Sequence, residues 1–146
     1  MSDNVQVIVH PLPDSPVSGG DHEICADEEI PALTVMVGTG ETADWYSAVT
    51  GGTLLAYGTP NFAPASAGTY YAGARNLTTG CLSPARTGVT LTIHNLPDVF
   101  AGADQSIPYG TSTTISDAIA TGAETLNYAW TPVGSRLKSG SCWPGT

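Results

Sequence analysis

The sequence predicts an all-β protein folded as a sandwich of two sheets. Short segments with alternating apolar residues are separated by turns rich in Gly, Pro, Ser and Thr. Apolar residues do not recur at a helical period over any stretch of about eleven residues. One extended segment near the start of the chain also recurs later in it. These features are typical of a sandwich of about seven short strands.

An internal repeat supplies the first landmarks. The segment VQVIVHPLPD at 5–14 is echoed by VTLTIHNLPD at 89–98, and Trp45 is echoed by Trp130 with a small shift. Each echo begins with apolar residues at every second position, the period of a half-buried strand. Each then ends in Leu-Pro-Asp, and the fixed φ of proline makes this segment a short, stiff joint.

The two joints, together with the loss of the strand pattern after Pro132, divide the chain into four parts. The interpretation assigns a complete sandwich domain to the middle part and pieces of neighbouring units to its flanks. The last part shows neither alternation nor a match to the complete unit, and it is interpreted as an irregular tail of artefactual origin. The boundaries are 1–12 for the last strand of a preceding repeat, 13–95 for the complete domain, 96–132 for the truncated start of a following repeat and 133–146 for the tail.

The strands of the complete unit follow from alternation between turn signals. Gly38-Thr39-Gly40 and Thr50-Gly51-Gly52 mark two of the turns. The candidate strands are 31–37, 43–47, 53–57, 69–75 and 88–93.

Two aromatic residues indicate an immunoglobulin-like sandwich. Trp45 lies where such a sandwich buries a tryptophan on its third strand, and Gly68-Thr69-Tyr70 resembles the tyrosine corner. Both side chains are predicted to form structural core. The residue two beyond Tyr70 is Ala72 instead of the cysteine of antibody domains, so the usual disulfide between the sheets is absent.

The cysteines suggest a different bridge. Cys25 precedes the first candidate strand and Cys81 lies in the turn after the fourth, and we predict that these two pair. A disulfide closing so long a loop would contribute roughly 4 kcal/mol. The alternative is two free buried thiols, because sequence does not fix the distance between them. Cys142 would be left unpaired.

Five short motifs resemble a known family, the Ig-like repeat of large bacterial secreted and cell-surface proteins. They are Ile24-Cys25, Trp45-Tyr46, TGGTLL at 50–55, AGTYYA at 67–72 and TGC at 79–81. The segment 96–132 resembles the start of a PKD-like module, although Pro108 stands where the first unit has Cys25. The resemblance implies tandem domains at the cell exterior, extracellular or on the cell surface, without chemistry of their own.

Charge and motifs exclude several functions. A net charge of −9 repels phosphate backbones and anionic membranes, so neither nucleic acid binding nor membrane insertion is expected. No membrane span or signal peptide is predicted, and an internal fragment of a longer secreted protein explains the missing signal. The sequence carries no Gly-x-Ser-x-Gly, His-Glu-x-x-His or Cys-x-x-Cys motif, so we expect no enzyme.

The densest acidic segment is a candidate calcium site. Calcium prefers several oxygen ligands converging from loops, and no other cofactor is predicted. Against this site, the segment lacks an Asp-x-Asp-x-Asp-Gly loop, and a solvated acidic edge that discourages aggregation explains it more simply. The residues are Asp21, Glu23, Asp27, Glu28 and Glu29.

Tyrosines form a second candidate site. Alternation turns Trp45 and Tyr70 inward, which leaves Tyr46, Tyr57 and Tyr71 to contact glycan rings from the surface. The predicted function is a structural spacer or adhesion module whose partners are neighbouring domains of the same polypeptide, a polysaccharide or a surface protein. The alternative is a carbohydrate-binding accessory module of a polysaccharide-degrading enzyme.

Overall fold

The structure is a computed structural model that describes residues 6–122 and Leu126. These residues form β-strands and no helix, so none of them belongs to a helix able to cross a membrane. They fall into two compact units, the first from 6–24 and Glu29–Ile93 and the second from Cys25–Glu28 and the chain from 94 onward.

Ten strands are described. They are β1 (Val17–Ser18), β2 (His22–Cys25), β3 (Leu33–Met36), β4 (Glu41–Tyr46), β5 (Leu54–Ala56), β6 (Asn61–Phe62), β7 (Gly68–Asn76), β8 (Thr87–His94), β9 (Asp98–Phe100) and β10 (Ile119–Thr121).

Strands β1 to β8 form the predicted sandwich. One sheet has five strands in the order β2-β8-β7-β4-β5, and the other has three in the order β1-β3-β6. The antiparallel pairs β4–β7 and β7–β8 make up the centre of the larger sheet. This arrangement confirms the all-β, immunoglobulin-like expectation, with eight strands in place of about seven.

The core lies where the inward positions of the two sheets meet. Trp45 on β4 is fully buried and stands directly opposite Ala72 on β7, so the largest side chain faces one of the smallest. Val89 and Leu91 of β8 and Leu33 of the opposing sheet complete its fully buried centre. Burial alternates along β3 and in the middle of β8, as the sequence predicts, whereas β4 has four consecutive buried residues because its outward positions are covered as well.

Aromatic rings connect the two sheets. Phe62 of the smaller sheet stacks on Trp45 with ring centroids 5.4 Å apart and meets Tyr70 at 5.0 Å. The indole N–H of Trp45 donates to the carbonyl of Thr59 at 3.0 Å. The hydroxyl of Tyr70 donates to the carbonyl of Ser66 at 2.8 Å, which is the hydrogen bond of a tyrosine corner.

The longer predicted strands are all present, within one or two residues at each end. Strands β1, β2 and β6 were not predicted, because segments of two to four residues carry too little alternation to detect. Residues 6–12 form no strand, contrary to prediction, and Val7 and Val9 are exposed. Extended backbone becomes a strand only when a neighbouring strand pairs with its N–H and C=O groups, and none of the described residues does so here.

The predicted disulfide between Cys25 and Cys81 is wrong, because Cys81 carries a free thiol. The two cysteines lie at opposite ends of the larger sheet. Cys25 ends β2, beside the last residue of β8, since the N–H of Ala26 donates to the carbonyl of His94. Cys81 lies beside Asn76 at the far end of β7. The register of β7 and β8 separates these ends by about eleven residues of extended strand, or about 36 Å, and a disulfide needs Cα atoms within about 7 Å.

The second unit contains one described strand pair. Strand β9 pairs antiparallel with β10, with Val99 opposite Ala120. The side chains of Val99, Phe100 and Ile119 are exposed. The predicted counterpart Trp130, the tail at 133–146 and Cys142 lie outside the described residues.

Candidate functional site

The chain enters and leaves the sandwich at opposite ends. The hydroxyl of Thr87, the first residue of β8, donates to the carbonyl of Pro16, and the hydroxyl of Ser15 donates to the carbonyl of Ala85. These bonds fix the incoming chain beside the start of β8. The strand ends seven residues later at His94, about 23 Å away. A tensile load between the two termini would therefore act along the strands.

The outward face of the larger sheet carries two of the three tyrosines that the sequence predicted to be exposed, and both are half-buried there. Tyr46 on β4 stands directly opposite Tyr71 on β7, and both alternate with inward core residues. Tyr71 in turn faces Gly88 on β8, where an added Cβ would lie 3.4 Å from the tyrosine ring. Tyr71 therefore lies across the open glycine backbone of its neighbour. Tyr57, which follows β5, is two-thirds exposed beside this face.

An ion pair lies on the same face. The guanidinium of Arg75 binds Asp44 through two atoms, with Nε donating to Oδ2 at 2.9 Å and Nη2 donating to Oδ1 at 3.3 Å. Asp44 is almost fully buried and also accepts from the N–H of Gly58 at 2.8 Å. The hydrogen bond that Arg75 donates to Asp44 raises the pKa of Arg75 above its ordinary value and keeps the guanidinium protonated. The ring of Tyr57 packs against this guanidinium at 4.0 Å.

A second arginine lines the cavity at the corner of this face. Arg86 lies 3.4 Å above the ring of Tyr46, and its Nη1 donates to the carbonyls of Ala48 and Gly51, both at 2.7 Å. Gly73 lies next to this side chain, and a Cβ there would make an ordinary van der Waals contact of 3.6 Å with Arg86 Cγ. The cavity has a volume of about 230 Å³. Its lining residues are Tyr46, Val49, Thr50, Gly51, Gly73, Leu82, Ser83, Pro84, Ala85 and Arg86.

The acidic segment does not assemble into a metal site in the described part of the chain. No three carboxylate, imidazole or thiol side chains among the described residues come close enough to hold one ion. Two of the predicted calcium ligands bind backbone instead: Asp21 accepts from the N–H of Thr90 and Glu28 from that of Cys25. The other predicted ligands were Glu23, Asp27 and Glu29.

Neither Arg75 nor Arg86 was predicted from the sequence to belong to a functional site. Arg75 occupies an outward position of a correctly predicted strand. The alternation of that strand could therefore have placed Arg75 on the same outward face as Tyr46 and Tyr71. The roles of Asp44 and Arg86 depend on which strands and turns are neighbours, and a single sequence does not contain that order. The only feature of the sequence that could have drawn attention to the arginines is their scarcity, because the whole chain has four Lys and Arg residues.

Two sheets around a buried tryptophan and a tyrosine corner define the first unit as an immunoglobulin-like domain. Comparison with known families agrees: residues 13–94 match the family described as Ig-like domain CHU_C associated. The chain belongs to this family, which confirms the resemblance to bacterial Ig-like modules. Such domains are typical of extracellular bacterial proteins and are typically non-catalytic. A search of curated proteins found no match.

Proposed function

We propose that the chain is a non-catalytic part of a large secreted or cell-surface protein, in which the Ig-like domain acts as a spacer or adhesion module. The observation that carries this proposal is the path of the chain, which is anchored at Pro16 beside the start of β8 and leaves at its end. Domains threaded end to end in this way add length when they are joined in series. The segment from 96 onward is then the start of a following module of PKD-like type.

A spacer must also keep its length under load. Pulling on the two termini acts along β8, so several hydrogen bonds to its neighbour β7 must break together. The bonds of Ser15 and Thr87 to their partners tie the incoming segment to the same end of that strand. The fold therefore resists extension in the direction in which a parent polypeptide would pull it.

Single-molecule pulling tests this function. With handles at Pro13 and Asn95, we expect no gradual extension and one unfolding event that releases roughly 250 Å of chain. The matched control places the second handle at Gly80, near the end where the chain enters, so that the load no longer runs along β8. We expect the control to unfold at lower force. Gradual extension at low force, or equal forces in both geometries, would contradict the proposal.

Carbohydrate binding is the second candidate function, and one observation favours it. Tyr46, Tyr57 and Tyr71 lie on or beside one sheet face, and aromatic rings pack well against the C–H surfaces of sugars. Arginine covers one face of the Tyr46 ring and one face of the Tyr57 ring. Tyr71 is therefore the tyrosine of this set with no arginine stacked on its ring among the described residues.

Retention on insoluble polysaccharides tests this candidate. Substitution of Tyr57 or Tyr71 by alanine should reduce retention several-fold, with the larger loss for Tyr71. The matched control is Tyr109→Ala, because Tyr109 is fully exposed and belongs to the second unit. Equal retention by all three variants would show that Tyr57 and Tyr71 do not bind polysaccharide.

A further inference from the structure

The two arginines of the described chain provide an internal comparison. Both lie on the outward side of the larger sheet, and both stack on a tyrosine ring. Arg75 uses its Nε and Nη2 atoms to hold the carboxylate of Asp44 in a two-point contact. This is the geometry in which guanidinium and carboxylate match best.

Arg86 has the same Nε–Nη2 edge on its guanidinium, but no described carboxylate binds there. Its Nη1 donates to two carbonyl oxygens, which fixes the plane of the guanidinium. No described residue accepts a hydrogen bond from Nε or Nη2 of Arg86. The pair of Arg75 and Asp44 is the one salt bridge between described residues. Carbonyl groups orient the guanidinium but leave its full positive charge in place. The Nε–Nη2 edge of Arg86, the edge that suits a carboxylate, therefore has no hydrogen-bond acceptor among the described residues.

The cavity beside Arg86 limits the size of the group it can admit. Its volume of about 230 Å³ is below the range of about 300–1,000 Å³ typical of sites for drug-sized ligands. It has apolar walls at Val49, Leu82 and Pro84 and polar groups at Thr50 and Ser83. A single ring or one protruding group of a longer polymer suits these dimensions.

We propose that the cavity lined by Arg86 and Tyr46 binds the carboxylate of a uronic acid unit in an acidic polysaccharide. Arg86 Nε and Nη2 donate to the two carboxylate oxygens, as the same atoms of Arg75 do to Asp44. Tyr71, directly across the sheet from Tyr46, offers its ring to a neighbouring sugar. The inference rests on the carbohydrate-binding candidate and specifies the class of sugar.

The overall charge further narrows the range of polysaccharides that could bind. A net charge of −9 repels dense polyanions at long range, while the attraction of Arg86 acts at one point. The preferred ligand is therefore a polysaccharide in which single uronic acid units alternate with neutral sugars.

Titration calorimetry with paired probes tests the proposal. The probes are oligosaccharides containing glucuronate, galacturonate or mannuronate, each as the free acid and as the uncharged methyl ester, together with an acidic peptide of alternating Gly and Glu. We expect at least one free acid to bind at least tenfold more tightly than its ester and than the peptide. Equal binding of acid and ester, or preference for the peptide, would overturn the role of Arg86.

Two variants test whether Arg86 is the residue that binds the carboxylate. Arg86→Lys keeps the charge but removes the two-point contact, and we expect at least a tenfold loss of affinity for the acid. Arg75→Lys makes the same replacement on the same face at an arginine already bound to Asp44, and it should change affinity less than twofold. Melting temperatures establish that both variants are folded. Equal losses in the two variants would also overturn the proposal.

The outcomes separate this inference from the functions on which it builds. If the esters bind as well as the acids, carbohydrate binding stands and the carboxylate site does not. If no sugar binds, both fail, while the spacer function is decided independently by the pulling experiment.

Discussion

Asp44 is a nearly buried carboxylate with three hydrogen-bond donors, two from Arg75 and one from Gly58. It lies on β4 opposite Gly73 of β7, inside the larger sheet. Because a buried carboxylate is costly without a partner, Arg75 supports stability mainly by preventing that cost. The pair also holds Arg75 in place beside Tyr57.

We predict that Arg75→Met destabilises the domain by about 3 kcal/mol, because it leaves Asp44 buried without its cation. The double variant Asp44→Leu/Arg75→Met should recover at least half of this loss, since it removes the unpaired charge as well. Urea denaturation followed by circular dichroism measures both values. A double variant less stable than Arg75→Met would show that the ion pair itself stabilises the fold.

Cys81 illustrates how a residue can be assigned the wrong role when only its type is known. Its N–H donates to the hydroxyl of Thr79, and its carbonyl accepts from the N–H of Asn76. These bonds belong to the turn after β7 and involve only backbone atoms of Cys81, so the thiol contributes little to them.

We therefore predict that Cys81→Ser changes the free energy of unfolding by less than about 1 kcal/mol. The predicted disulfide would instead have made the loss roughly 4 kcal/mol. The denaturant midpoints of the two proteins decide between these values. Alkylation of the native protein should also modify Cys81, and complete protection of its thiol would contradict the assignment.

At the scale of elements, the turn between β4 and β5 connects the fold to the candidate site. It contains Gly51 and Gly52, both with positive φ values, at 61° and 73°. An added Cβ at Gly51 meets nothing within 4 Å, whereas one at Gly52 would lie 2.9 Å from the backbone of Ala48. The carbonyls of Ala48 and Gly51 accept from Arg86, so the turn also orients the guanidinium.

This difference gives a matched pair of variants. Gly51→Ala should cost about 1 kcal/mol, because it introduces backbone strain alone. Gly52→Ala adds a steric clash and should cost at least 1 kcal/mol more, with weaker binding at the Arg86 cavity. Thermal unfolding and the uronate titration provide the two measurements. Equal stabilities would show that the turn shifts without cost to relieve the clash.

At the scale of the whole molecule, the hydrophobic core belongs to the first unit. All of its fully buried large side chains lie between Leu33 and Leu91, and the strands that hold them pair with one another. The strand pair β9–β10 of the second unit contributes none of the buried core residues in the described chain.

We predict that residues 13–95 alone retain a single cooperative unfolding transition, because they include the complete core. Differential scanning calorimetry of this segment and of the full chain should give transitions within a few degrees of each other. A segment that fails to unfold cooperatively would show that the fold depends on residues outside this range.

The sequence by itself determined the layers of this domain. A strand exposes alternate residues to opposite sides, so the period of two at Trp45, Tyr70 and Val89 predicted strands and core without knowledge of their neighbours. Only the tertiary structure decided which residues meet. Cys25 and Cys81 lie at opposite ends of the larger sheet, and Arg86 lies over Tyr46, because strand order and register bring distant segments together. Alternation is a local property of the backbone, whereas these distances arise from pairings between segments far apart in the chain.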